Sequence, residues 1–104
     1  MIQIHWTCAS LEEARCITQE LLQKKWIACG NLIPSVESHY VWEGKLEVAR
    51  EVKVLFKTKE EFYSKILEYI VENGSYDVPE VSKIEIAETN PKYIGWLNKA
   101  LETS

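Results

Sequence analysis

The sequence predicts an α+β domain in which helices pack against an antiparallel sheet. Some segments alternate apolar and polar residues, which is the two-residue period of half-buried strands. Other segments place apolar residues three and four positions apart behind capping residues, which is typical of amphipathic helices. The segments follow one another in the order β-α-β-β-α-β-α. A chain of 104 residues is expected to form one domain, which we assign to residues 1–104.

A strand and a helix open the chain. Four apolar residues alternate with polar ones and predict the strand: Ile2, Ile4, Trp6 and Cys8. Ser10 and Glu13 have the spacing of a capping box, with Ser10 as the cap and Glu13 reaching back. Helical periodicity continues to about Trp26. Cys16 falls away from the apolar stripe, so we expect its thiol at the surface.

A long hairpin from about Ile27 to Thr58 dominates the middle of the chain, with its tip at residues 42–45. Its second arm has an apolar row that alternates with charged residues: Leu46, Val48, Val52, Val54 and Phe56. That arm is roughly twice the usual strand length, so we expect it either to cover something beyond its own domain or to be covered by a partner. Arg50 interrupts the row and indicates where the arm leaves its own core. Pro34 predicts a bend near residues 33–36.

A second helix, a last strand and a third helix follow. Thr58 and Glu61 have capping-box spacing, and Gly74 is expected to end the second helix in the left-handed conformation. The strand over residues 81–87 is predicted to point Ile84 and Ile86 inward. Lys83 and Glu85 are predicted to point outward. Asn90 and Pro91 begin a helix that runs almost to Ser104.

This order of elements predicts a ferredoxin-like β-α-β-β-α-β sandwich with an extra C-terminal helix and a long hairpin. The helices are expected to cover one face of the sheet. The other face would carry aromatic side chains and invite association with other copies.

Composition excludes several functional classes. The net charge is −4 and no basic block occurs, so no nucleic-acid partner is expected. No segment reaches the ~20 apolar residues of a membrane span, and the N-terminal segment lacks the pattern of a signal peptide. The three cysteines have no close pairing, which favours reduced thiols and a cytoplasmic protein.

Five motifs in order resemble the CutA divalent-cation tolerance family: residues 28–34, 40–45, 51–58, 76–80 and 93–97. The resemblance covers nearly the whole chain. It implies a ferredoxin-like subunit in a homotrimer whose long hairpins pair with neighbouring subunits. It also implies a role in tolerance of copper and other divalent metals, with no catalytic reaction. The implied interface residues are Tyr40, Trp42, Glu43, Gly44, Lys45 and Trp96.

Metal binding would need thiolate or imidazole ligands if the ion is copper, and the candidates are Cys29, Cys8 and His39. Cys29 lies within a family motif. No Cys-x-x-Cys or His-x-x-x-His spacing strengthens the prediction. The family often carries a histidine just before the loop tyrosine, in a pattern like His-Pro-Tyr, whereas this chain has Asn73-Gly74-Ser75-Tyr76. The resemblance to the family makes Cu²⁺ or another divalent metal the candidate cofactor.

A second hypothesis is a sensor or scaffold similar to the trimeric P-II signalling proteins, which bind small anionic ligands in clefts between subunits. The candidate cleft residues are Lys57, Tyr76, Pro79 and Glu80. An acylphosphatase-like enzyme would need an arginine after the first strand, and residues 7–10 contain none. We therefore expect a protein that is not an enzyme.

Overall fold

The computed structural model describes residues 1–102. Its elements, in chain order, are β1 (Ile2–Cys8), α1 (Leu11–Gln23), β2 (Cys29–Trp42), β3 (Lys45–Thr58), a 3₁₀ turn (Glu60–Phe62), α2 (Tyr63–Asn73), β4 (Val81–Glu85) and α3 (Pro91–Ala100). The strands form an antiparallel sheet in the order β2-β3-β1-β4. This is the predicted ferredoxin-like arrangement with an added C-terminal helix. The predicted end of α3 near Ser104 lies outside the described residues.

The hydrophobic core lies between the sheet and helices α1 and α2. In β1 every second residue is buried, and Ile4 and Trp6 pair with Phe56 and Val54 of β3. The rings of Trp6 and Phe56 stack with centroids 5.9 Å apart. The helices add Leu21, Ile66 and Ile70 to the same cluster. Each such side chain contributes roughly 1.5–3 kcal/mol through its burial.

Helix α1 confirms one half of the predicted capping box. The Ser10 hydroxyl accepts a hydrogen bond from the Glu13 backbone N–H at 3.1 Å. The Glu13 carboxylate does not reach back, because it accepts hydrogen bonds from the backbone N–H and hydroxyl of Ser75 at 2.8 and 2.9 Å. The helix ends at Gln23, before the predicted Trp26, and Lys25 then turns the chain at a φ of 60°. Cys16 is exposed, as predicted.

Both predicted caps of the second helix were wrong, although α2 does end at Asn73, just before Gly74, as predicted. Thr58 is the buried last residue of β3, and its hydroxyl donates to the Trp26 carbonyl at 2.5 Å instead of capping a helix. Gly74 has a φ of −78°, outside the left-handed region. A glycine is needed there for a different reason, since a Cβ would lie 2.8 Å from the Ile70 carbonyl oxygen.

The predicted facing of β4 is inverted. Lys83 pairs with Ile4 and Ile84 pairs with Gln3, and directly paired residues of antiparallel strands share a face. Lys83 therefore lies on the helix side, where its ammonium group is 2.6 Å from a Glu60 carboxylate oxygen. Ile84 lies on the second face and is exposed. The alternation gave the wrong facing because β4 is an edge strand, and beyond Val81 its helix side is exposed to solvent. Ile86 lies beyond the strand, which ends at Glu85.

The hairpin of β2 and β3 projects beyond the core, as predicted. Its tip is a two-residue loop, Glu43–Gly44, in which both φ angles are positive, as a type I′ turn requires. The buried row of β3 begins at Val52, whereas Leu46 and Val48 are 88% and 61% exposed. We call the part of the hairpin from residue 36 to residue 50 the arm.

A β-bulge between Ile33 and Val36 lies at the base of the arm. It contains Pro34 and also Ser35, which has a φ of 60°. One extra residue in β2 reverses which of its positions face the helices. Leu32 pairs with buried Val54 before the bulge, but the odd-numbered residues share the helix side beyond it. The predicted bend is therefore confirmed, and it also decides which aromatic side chains face the cleft described next.

Candidate functional site

Both faces of the arm carry exposed apolar side chains. The register places Val41, Leu46 and Val48 on the face that continues the helix side. Tyr40 and Trp42 lie on the opposite face, and all five side chains are exposed in the single chain. Each side of the arm therefore exposes apolar side chains among its charged ones.

A cleft of about 400 Å³ lies where the arm meets the loop between α2 and β4. Its lining residues are Tyr40, Trp42, Glu51, Tyr76, Asp77 and Val78. The Tyr76 hydroxyl donates to a Glu51 carboxylate oxygen at 2.7 Å. Burial, followed by this hydrogen bond and the charge of Glu51, raises the pKa of Tyr76 well above its usual range. The phenol therefore stays protonated and fixes one carboxylate at the cleft wall.

Glu80 anchors the other end of the same loop to the sheet. One of its carboxylate oxygens accepts hydrogen bonds from Thr7 at 2.9 Å and Lys53 at 3.0 Å. Ser82 donates to the other oxygen at 3.1 Å. Partial burial raises the pKa of Glu80, but the bonds from Lys53 and Thr7 outweigh it and hold the pKa below its ordinary value. The loop is thus tied to β1 and β3 by an ionised carboxylate.

Of the four predicted cleft residues, only Tyr76 lines this cleft. Tyr76, Pro79 and Glu80 lie on this loop, whereas Lys57 bonds to Asn31 at the far end of β3. The group that binds Glu80 is Lys53, four positions earlier on the same row of the strand.

Sequence reasoning missed Glu51, Lys53 and Thr7. The alternation did place Glu51 and Lys53 in one charged row of β3, together with Lys57. Choosing among them required the pairing of Thr7 with Lys53, which the sequence does not supply.

The three candidate metal ligands lie in three different surroundings. Cys8 is buried on the helix side, and its thiol donates to the Ser10 carbonyl at 3.5 Å. Burial, with a smaller effect from the Glu13 charge, raises the pKa of Cys8 to about 11. Cys29 is half-buried on the opposite face.

His39 lies on the exposed arm, with a ring nitrogen 2.7 Å from a Glu37 carboxylate oxygen. Cys29, unlike His39, lies next to an aromatic side chain, that of Tyr93 on α3. Burial, with a smaller effect from the neighbouring Cys29 side chain, raises the pKa of Tyr93. Among residues 1–102, no three His, Cys, Asp or Glu side chains are grouped closely enough to hold a metal ion.

The remaining predicted interface residues occupy two places. Glu43, Gly44 and Lys45 are exposed at the hairpin tip. Trp96 lies on α3 and is half-exposed, with its ring centroid 5.4 Å from that of Tyr93. None of the helices in the part of the chain described by the structure is long and apolar enough to cross a membrane.

The fold and the cleft define a class of protein: a ferredoxin-like α+β domain with a projecting hairpin and a tyrosine–carboxylate cleft at its base. The family model described as CutA1 divalent ion tolerance protein matches residues 2–100. The chain belongs to this family.

Relatives agree with that assignment. A divalent-cation tolerance protein CutA of Thermococcus kodakarensis is 37% identical over 100 residues, covering 96% of this chain and 95% of its own. A chloroplastic Protein CutA 1 of Oryza sativa is 33% identical and covers 99% of this chain, which spans 58% of the rice protein. The chain thus spans little more than half of some curated relatives that it matches.

Solved structures match the whole fold. CutA1 from Pyrococcus horikoshii superposes with a TM-score of 0.92 at 34% identity, covering 99% of this chain and 100% of its own. A protein described as the periplasmic divalent cation tolerance protein CutA from Archaeoglobus fulgidus gives a TM-score of 0.93 at 34% identity, covering 98% and 100%.

Proposed function

We propose that this protein acts in divalent-cation tolerance as a homotrimer in which each arm is covered by neighbouring copies. The observation that carries the proposal is the arm itself, whose two faces expose Leu46 and Val48 on one side and Trp42 on the other. A surface of this kind marks a protein interface. A closed ring of identical copies would bury both faces through one repeated contact.

Metal binding in this proposal involves His39 and Cys29 more than Cys8. To bind a metal, a cysteine must be a thiolate and a histidine must be a neutral imidazole, and the raised pKa of about 11 disfavours the thiolate of Cys8 at neutral pH. His39 is exposed and already has Glu37 beside it, and metal-binding histidines use a carboxylate partner on the second ring nitrogen. In a trimer, the ligand set of one chain would be completed by its neighbours.

Native mass spectrometry tests assembly and metal binding together. We expect a mass of three 12.1 kDa chains that takes up Cu²⁺ to saturation in a fixed ratio. His39→Gln should weaken uptake by at least about tenfold, because loss of a ligand should cost no less than loss of the outer partner that orients a ligand. His5→Gln, on β1, is the matched control. A monomer would refute the interface, and a trimer without saturable metal would refute direct binding while keeping the assembly.

A small-ligand sensor is the second candidate, and the composition of the cleft favours it. Its volume falls within the range of ligand pockets. Three aromatic rings and two carboxylates line it, without a lysine or arginine among those residues. This lining suits a small organic ammonium ion better than the anionic ligand expected from Lys57, because ammonium groups bind over aromatic faces and next to carboxylates.

Tryptophan fluorescence distinguishes this candidate from metal binding. Choline should quench Trp42 more strongly than its uncharged carbon isostere does, and Glu51→Gln should weaken the binding of choline. Glu20→Gln on α1 is the control. Equal binding of both compounds would contradict a charge-selective cleft, and absence of quenching would remove the sensor hypothesis.

A cytoplasmic location and the lack of a catalytic reaction remain parts of this proposal. The three cysteines are free thiols, which supports a reducing compartment. Fractionation of cells that produce the tagged protein would test the location.

A further inference from the structure

Asn73 and Gly74 form an Asn-Gly pair at the end of α2. Such a pair can deamidate without an enzyme. The Gly74 amide nitrogen loses its proton to hydroxide and attacks Cγ of Asn73. The new C–N bond forms as the Cγ–Nδ2 bond breaks, and ammonia leaves a five-membered succinimide. Water then opens the ring to aspartate or isoaspartate. The side chain of Asn73 is exposed, so water reaches it.

The other asparagines lack this partner. Asn31, Asn90 and Asn98 precede leucine, proline and lysine. Leucine and lysine crowd the attacking nitrogen with a Cβ, and proline has no N–H. Asn73 is therefore the one asparagine of the sequence with an unhindered reaction partner.

The structure holds both reacting groups away from each other. The Asn73 side-chain amide donates to the Tyr69 carbonyl at 2.9 Å. The Gly74 N–H donates to the Ile70 carbonyl at 2.8 Å, so its nitrogen is oriented into the helix. The attack requires both hydrogen bonds to break, which means that the last turn of α2 must open.

Glu13 secures this helix end from outside. Its two carboxylate oxygens accept hydrogen bonds from the backbone N–H and the hydroxyl of Ser75, the next residue along. Gly74 lies so close that a Cβ there would be 3.4 Å from a Glu13 oxygen. Because Ser10 caps α1 at the Glu13 backbone, the carboxylate is presented from a fixed helix.

We propose that Asn73 is a deamidation site whose rate is controlled by the Glu13–Ser75 contact, and that the reaction releases the loop of the candidate cleft. The product carboxylate can no longer donate to the Tyr69 carbonyl. It also adds a negative charge at a helix C-terminus, where negative charge is unfavourable. Isoaspartate lengthens the backbone by one carbon and displaces Ser75 from Glu13. The loop that follows carries Tyr76 and Glu80.

Peptide mapping by mass spectrometry tests the proposal on the intact protein held at mildly alkaline pH. A synthetic peptide of residues 69–78 gives the deamidation rate in the absence of the helix hydrogen bonds and the Glu13–Ser75 contact. We expect the folded protein to react at least about tenfold more slowly than the peptide, because the closed turn must open first. Glu13→Ala should accelerate the reaction several-fold, and Glu12→Ala, one position earlier on the same helix, should not.

Several results would overturn the proposal. One is equal rates in the protein and the peptide, and another is an unchanged rate in a folded Glu13→Ala protein. If that variant does not fold, Ser75→Ala removes only the hydroxyl bond and should still raise the rate. For the consequence, Asn73→Asp should increase hydrogen exchange across residues 74–80. Unchanged exchange there would refute the release of the loop.

Discussion

Thr18 carries an unsatisfied hydroxyl in the core. It is buried within α1, and among the described residues its oxygen has no hydrogen-bond partner. Its methyl group packs tightly on Gly30, where a Cβ would be 2.7 Å away. Thr18→Val keeps this methyl and removes the hydroxyl, so we expect the free energy of unfolding to rise by about 1 kcal/mol. Urea denaturation measures this, and a lower free energy in the variant would show that the hydroxyl is satisfied in solution.

The lowered pKa of Glu80 leads us to expect that the stability of the fold depends on pH. Its pKa is lower in the folded protein than its ordinary value of 4.5. Its contribution to stability is therefore present above that value and is lost as the pH falls through the folded pKa. The difference in unfolding free energy between the wild type and Glu80→Gln should be largest near neutral pH and shrink in acid. Glu88→Gln is the control, and a pH-independent difference for Glu80→Gln would contradict the assignment.

At the scale of elements, two glycines predict opposite effects of the same substitution. Gly44 has a φ of 78° at the hairpin tip, and no atom of the described residues lies within 4 Å of the place a Cβ would take. Alanine there therefore meets only backbone strain of about 1–2 kcal/mol. Gly95 is exposed within α3 and equally uncrowded, so Gly95→Ala should stabilise by about 0.5–1 kcal/mol, because alanine favours the helix. Thermal unfolding of both variants checks this, and shifts in the same direction would contradict it.

The arm sets the prediction for the whole molecule. Trp42→Ala should weaken assembly by more than ~2 kcal/mol if this aromatic side chain anchors the interface. The far-UV circular dichroism should remain unchanged, because Trp42 lies outside the core. Val71→Ala, exposed on α2, is the control. Sedimentation over a dilution series gives the result, and a Trp42→Ala protein as fully assembled as the control would refute the anchor.

Sequence periodicity determined much of this protein. The two-residue period of β1 and β3 and the helical spacing in α1 and α2 fixed the element order, and the order implied the fold. The length of β3 and the position of Arg50 indicated an arm that leaves its own core. These features are local, because spacing along the chain decides which side chains share a face.

Only the tertiary structure decided how distant segments meet. The register placed Thr7 beside Lys53, and both side chains bind Glu80. On spacing alone, Lys57 could equally have been the lysine that binds Glu80. The contact between Glu13 and Ser75 likewise joins two helices that are far apart in sequence. A side chain with several donors or acceptors within reach has no local rule for choosing among them. Packing makes that choice, since the lowest free energy depends on the whole set of contacts.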